Sequence, residues 1–264
     1  MELILILILI AFLFESMDSM AGMGFGTALS PLLFLFGYNP LQVVPTILIS
    51  EAITGAIDTI FDHEFRNVRY SFRPLNDATK ISLIMAFFGC LAIFSSILLG
   101  YFAIKFSTIV IKTYVAILVI FMGISGFLRL KLKKFKFSSK ARPKMLIGFS
   151  ILAGFNKGVG GGGYGPIITM GQIFSGVYEK SATAIVSFAE SIVSIVGIFT
   201  FFLISFVGVD VDLVLLPSLF TGGFFAAISA PYLVRVLPNK IWKYFIPIYA
   251  IGIGIFSLLK IFIF

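Results

Sequence analysis

The chain has 264 residues, 59% of them apolar and 12% charged, with a mean hydropathy of +1.09 and a formal net charge of +8. Soluble domains run near 45–50% apolar and about 25% charged. The composition therefore excludes a disordered chain, a nucleic-acid-binding domain and a soluble globular enzyme. In a soluble protein the basic excess would point to a polyanion partner; here its position along the chain carries the information. Cys90 is the only cysteine, so neither an intramolecular disulfide nor a thiolate metal cage is available. His63, the only histidine, lies in the polar stretch Asp62-His63-Glu64, which argues against Ser-His-Asp chemistry. No enzyme activity, cofactor or metal is expected.

A bilayer core about 30 Å thick takes roughly 20 apolar residues per helical span. Apolar segments fall at 2–36, 40–61, 79–104, 108–130, 145–175, 178–206, 211–236 and 239–263, with connections too short for a soluble domain. The N-terminus has no basic stretch and no small-residue cleavage site, so no cleaved signal peptide is expected. The first segment is too long for one span and too short for two. In it, Glu15-Ser16-Met17-Asp18-Ser19 leads into Gly22-Met23-Gly24-Phe25-Gly26. The fifth has the same anomaly, with Asn156-Lys157 leading into Gly158-Val159-Gly160-Gly161-Gly162-Gly163. Glycine runs break helices, and irregular backbone at membrane depth is tolerated only inside protein or beside water. Both segments read as re-entrant hairpins of broken helix.

The two anomalies belong to an internal duplication. Gly22, Gly24 and Gly26 match Gly158, Gly160 and Gly162 at an offset of 136, and Pro31 matches Pro166 at 135. Gly37 and Glu51 match Gly176 and Glu190 at 139; Tyr101, Lys112 and Arg129 match Tyr232, Lys243 and Lys260 at 131. The expected organisation is a first repeat at 1–130, a basic linker at 131–143 and a second repeat at 144–264. From Arg129 to Lys144 there are eight basic residues and no acid, which places the linker in the cytoplasm by the positive-inside rule. Arg66, Arg69, Arg73 and Lys80, then Arg235, Lys240 and Lys243, fall on the same side only if the fifth segment returns to its own side. Asp210 and Asp212, like both termini, then fall outside. Each repeat becomes one hairpin plus three spans, and the odd number of crossings inverts the second repeat. The fold expected is an all-α integral membrane protein of two inverted repeats, the architecture of secondary transporters, multi-pass in the cell membrane.

Two kinds of group are candidates for transport chemistry. The breaks expose backbone N–H groups, and the half-helix after each adds the positive end of its dipole, which suits a small anion. Gly24, Gly26, Gly160, Gly161 and Gly162 are the candidate backbone donors. Thr27, Ser30, Asn156 and Gln172 are candidate side-chain donors, and Lys157 is the only cation embedded in an otherwise apolar segment. The second kind is carboxylate. Glu51 lies roughly 16 Å and Glu190 roughly 15 Å into its span at 1.5 Å per residue, near the midplane. Glu51, Glu190 and Asp18 are the candidate proton carriers. The bland readings are close helix packing at the glycines, a snorkelling Lys157 and structural carboxylates.

These residues resemble the sulfite exporter TauE/SafE family, whose motif runs roughly G-x-G-G-G-x-x-x-x-P with a following glycine, twice. The first copy is Gly22-Met23-Gly24-Phe25-Gly26 with Pro31 and Gly37, Phe25 standing in the glycine run. The second is Gly158-Val159-Gly160-Gly161-Gly162 with Pro166 and Gly176. Asp18-Ser19-Met20-Ala21-Gly22 is similar to the family's lead-in. The resemblance covers essentially the whole chain and implies a plasma-membrane transporter of small sulfur anions such as sulfite, sulfonates or sulfoacetate. The reading that follows is an alternating-access carrier in the lipid bilayer, proton-coupled through Glu51 or Glu190, without nucleic-acid partners. The alternative is an anion channel built from the same segments. Homo-oligomerisation, transport direction and the individual anion are left open.

Overall fold

The computed structural model describes residues 3–22, 25–132, 142–175, 179–236 and 240–263. Gly24, Gly176 and most of the basic linker, 133–141, lie outside the described residues. Among those described there is no β-strand. The helices are α1 (Leu5–Ala21), α2 (Phe25–Leu35), α3 (Pro40–Glu64), α4 (Asp77–Ile97), α5 (Thr108–Leu132), α6 (Pro143–Gly160), α7 (Tyr164–Phe174), α8 (Glu179–Ser205), α9 (Leu216–Val236) and α10 (Lys240–Phe262). A π-helical stretch, Leu98–Ala103, continues α4. Among the described residues, five helices are long and apolar enough to cross a bilayer: Pro40–Glu64, Asp77–Ala103, Thr108–Leu128, Ala184–Ser205 and Tyr244–Phe262. Large apolar side chains such as Phe87, Phe121, Phe199 and Phe202 project outward from them. Apolar exterior of this extent requires lipid as solvent. The chain is an all-α integral membrane protein.

Local signals explain where the helices begin and break. Asn39 and Gln42 form a reciprocal cap on α3, with Pro40 at its first position. Asn76 Oδ1 accepts from the Thr79 N–H at the start of α4. α1 ends at Gly22 and α6 at Gly161, both left-handed, with φ of 62° and 75°. Their N–H groups donate back to the carbonyls of Asp18 at 2.6 Å and Lys157 at 2.8 Å. This is the conformation for which glycine carries no Cβ penalty.

Contacts between helices give their directions. The Arg142 N–H donates to the Ser175 carbonyl at 3.1 Å, so α6 and α7 form a hairpin that returns to its starting end. The Ile4 N–H donates to Ser218 Oγ at the start of α9. Just beyond α2, the Leu41 carbonyl accepts from the Asp212 N–H, and Gln42 Nε2 donates to Asp212 Oδ2. α1 and α2 therefore also return to one end. α6 runs parallel to α4, Gly154 packing on Gly89 and Gly158 on Ile93. α3 is antiparallel to α8, with Gly55 against Ser187 and the Ser191 hydroxyl donating to the Ala52 carbonyl at 2.7 Å. α5 is antiparallel to α10, with Gly123 against Ile251 and Gly254 against Ile120. One end of the bundle thus carries residues 65–76 and the helix ends at 132, 142, 236 and 240. The other carries 36–39, 104–107, 206–215 and the outer ends of α1 and α10.

The register of the two halves differs from the 136 and 135 offsets expected at the breaks. Gly161 lies 139 residues after Gly22, Tyr164 after Phe25 and Glu179 after Pro40. Gly26 packs on the Gly161 carbonyl and Gly165 on the Gly22 carbonyl, which is the same contact made twice in this register. Gly26 therefore corresponds to Gly165 rather than Gly162, and Phe25 to Tyr164 rather than to a glycine. What must recur is the left-handed cap and the start of the next helix, not the number of glycines between them.

Candidate functional site

The tips of the two hairpins cross. A Cβ at Gly162 would fall 2.8 Å from the Thr27 nitrogen, and one at Gly165 2.9 Å from the Gly22 oxygen. Only glycine permits backbones this close. The Gly163 N–H donates to Thr27 Oγ1 at 3.0 Å, and the Ser30 hydroxyl to the Gly26 carbonyl at 2.7 Å. The first bond ties the start of α7 to the other hairpin; the second lies within α2.

A buried ion cluster lies at the crossing. Lys157, one turn before its cap, is fully buried. Its ammonium donates to Glu190 Oε1 at 2.7 Å and to Glu51 Oε2. Glu51 Oε1 in turn accepts from the Gly26 N–H at 3.1 Å. That N–H belongs to the first turn of α2, where the helix dipole favours an anion. Glu51 therefore occupies the anion position at that half-helix. The Tyr164 ring faces the Lys157 ammonium at 5.7 Å from its centroid, and its hydroxyl donates to the Met85 carbonyl at 3.2 Å. An intramembrane charge is costly unless paired, and here three charges share one site.

The structure brings most of the candidates together. Glu51, Glu190, Lys157, Gly26, Thr27, Ser30, Gly161 and Gly162 all meet at the crossing. Lys157 does not snorkel: both carboxylates hold it inside. Asn156 is buried beside it in sequence, its Oδ1 against the Tyr114 hydroxyl and its Nδ2 without a partner among the described residues. Gly160 packs on Val115 of α5. Gly26, Thr27, Gly160, Gly162 and Gly163 line a crevice against α5 that is too narrow for a water molecule. Gln172 is not brought in, since its amide donates to the Ala182 carbonyl of α8 at 3.1 Å. Asp18 lies near Gly165, within electrostatic reach of Glu51. Sequence reasoning missed Tyr164, Tyr114, Gly163 and Gly165; the 139 register would have singled out Tyr164, as the counterpart of Phe25.

The family model for the sulfite exporter TauE/SafE matches residues 7–257. The chain belongs to the TauE/SafE family. It is also similar to the "Probable membrane transporter protein YtnM" of Bacillus subtilis (strain 168), 28% identical over 242 residues that cover 89% of this chain and 76% of that protein. No solved structure matches significantly. Membership of TauE/SafE, with the apolar helices, makes this a multi-pass membrane transporter and not an enzyme.

Proposed function

We propose that the chain is a secondary transporter that moves a small sulfur-containing anion of the sulfite, sulfonate or sulfoacetate class by alternating access. The observation that carries this reading is the Lys157 ammonium, fully buried and bridging Glu51 and Glu190 at the crossing of two broken helices. Two carboxylates and one ammonium leave a net negative charge, which burial penalises. Protonation of Glu51 removes that charge and releases Lys157 and the Gly26 N–H together. An oxyanion then takes the place of the Glu51 carboxylate, held by Lys157, the α2 N-terminus and the hydroxyls of Thr27 and Ser30. Proton and anion bind as one event, which couples their movement.

The halves related at 139 form two inverted repeats, and motion of one hairpin and its neighbours against the other exposes the crossing to each side in turn. The antiparallel pairing of α3 with α8 and of α5 with α10 supports this. The end carrying Arg66, Arg69 and Arg73 faces the cytoplasm. Single cysteines at Lys134 and Asp210 label from opposite sides in intact cells, Lys134→Cys from the cytoplasm; the reverse labelling overturns the orientation.

The test of function is uptake into liposomes together with thermal melts over sulfite, sulfoacetate, taurine, sulfate and thiosulfate. A bound anion raises Tm by mass action. Saturable uptake with counterflow, driven by a pH gradient and lost in Glu51→Gln, is the expected result. Ohmic current without counterflow identifies a channel instead, and intact pH dependence in both Glu51→Gln and Glu190→Gln rejects the proton carriers.

A further inference from the structure

The first half of the chain holds a second buried polar cluster that the crossing does not use. Glu15 and Ser19 lie one turn apart on α1, and Ser50, Thr54 and Asp58 follow the same spacing on α3, so each set forms a stripe on one helix face. The stripes meet. The Ser19 hydroxyl donates to Asp58 Oδ2 at 2.8 Å. Glu15 lies within electrostatic reach of Asp58 and beside the Thr54 hydroxyl. Ser50 and Thr54 both pack on Gly223 of α9. Glu15 is 3% exposed, Asp58 5%, and Ser50 and Thr54 fully buried. Ser50 Oγ and Asp58 Oδ1 have no hydrogen-bond partner among the described residues, and Glu15 Oε2 and Thr54 Oγ1 have none outside the cluster. Nor does any described Lys, Arg or His pair with Glu15 or Asp58.

The second half shows that packing does not require these groups. In the 139 register, Glu15 corresponds to Gly154, Ser19 to Gly158, Ser50 to Ala189, Thr54 to Val193 and Asp58 to Gly197. There α4 closes the space, with Gly154 on Gly89 and Ala92, and Gly158 and Gly197 on Ile93. The second junction is mostly glycine and apolar residues, its one Ser96 hydroxyl bonded to the Ile93 carbonyl, whereas the first is built from buried oxygens, and unpaired buried oxygens are destabilising. The charge next to it is also exchanged. The counterpart of Lys157 is Asp18, so the half that lacks the lysine adds a carboxylate in reach of Glu15.

We propose that Glu15, Thr54 and Asp58 form a binding site for a monovalent cation, Na⁺. The donors are all oxygen, which suits a hard cation. Among the described residues no three His, Cys, Asp or Glu side chains are placed to hold a metal ion, so the cluster is not a multi-carboxylate cage. Divalent ions such as Mg²⁺ part reluctantly with their hydration waters, whereas a dry site between helices requires the ion to shed them. The bound ion supplies to the first half the positive charge that Lys157 supplies to the second, and it links α1 to α3, which carries Glu51.

The experiment is a set of thermal melts of the purified full chain in NaCl, KCl, MgCl₂, CaCl₂ and choline chloride at constant ionic strength and pH, with and without sulfite. The expected result is a saturable rise in Tm with Na⁺ alone, lost in Glu15→Gln and Asp58→Asn. An equal rise in every chloride overturns the site, as does a rise with falling pH that is independent of Na⁺, which marks a protonated cluster. Saturation by Ca²⁺ or Mg²⁺ in place of Na⁺ overturns the monovalent assignment. Where the carboxylate variants do not fold, Thr54→Val remains, and an unchanged half-saturating Na⁺ concentration in it overturns the site. A sulfite response without a Na⁺ response removes this proposal alone; a Na⁺ response without a sulfite response upholds the cation site and rejects sulfite as the anion.

Discussion

The two hairpins share their caps and differ in their charges. Gly22 and Gly161 end α1 and α6 in the same left-handed conformation, each bonding back to the residue four positions before it. That residue is Asp18 in the first hairpin and Lys157 in the second. Around Asp18 the helices bury carboxylates and hydroxyls with no described lysine among them; around Lys157 they bury the two carboxylates that pair with it, and the rest of that face of α6 packs through Gly154 and Gly158. Backbone geometry is therefore common to both halves, while chemistry is divided between them. The ends of the two α2- and α7-type half-helices follow the same pattern: one N-terminus faces the Glu51 carboxylate, the other the Thr27 hydroxyl.

The largest expected effect breaks the comparison at Lys157. Lys157→Ala leaves two carboxylates buried together, and removing one partner of such a cluster costs about 3–5 kcal/mol. Chemical denaturation in detergent measures it. The triple variant Lys157→Met with Glu51→Gln and Glu190→Gln recovers much of that loss, since apolar or neutral replacement of a whole buried ion cluster is often close to neutral. A triple variant as unstable as the single one would show that the cluster itself holds the crossing together.

Next is the contact between the tips. Gly162→Ala drives a Cβ into the Gly26 backbone, and overpacking of this kind costs about 1–3 kcal/mol. Gly148→Ala, on α6 with open space around it, is the control: it gains up to about 1 kcal/mol from helix propensity. Equal melting shifts for the two would mean that the hairpins do not touch.

The smallest effect is at the junction of α3 and α8. Ser191→Ala removes the bond to the Ala52 carbonyl, worth about 0.6 kcal/mol by comparison with interhelical bonds in other membrane proteins. Ala52 and Ser191 are counterparts in the 139 register, so this bond lies where the two halves meet. A cost of several times that value would make the α3–α8 junction a rigid element rather than a surface along which the halves move.

Much of the architecture was legible because membrane spans announce themselves through apolar length. The expected segments at 40–61, 79–104 and 108–130 coincide with α3, α4 and α5, and the two over-long segments became broken pairs because their glycines lie where a left-handed cap is needed. The offset at the breaks was misread because glycines were counted, and a glycine run offers several equivalent alignments. Glu51 and Glu190 stood out as carboxylates inside apolar spans, yet nothing in their spacing says that both reach one lysine, 106 and 33 residues away along the chain. Gln172 looked like a ligand because it is polar beside a break, but its helix turns the amide toward α8.

The sequence alone determined that the chain lives in a bilayer and where its helices begin and break. These follow from local quantities: apolar run length, glycine position and residue order. Only the tertiary structure decided which charges meet. It brought Lys157 between two carboxylates from α3 and α8, and Glu15 against Asp58 from neighbouring helices. Pairing of this kind depends on helix rotation and crossing, which close packing sets across the whole bundle.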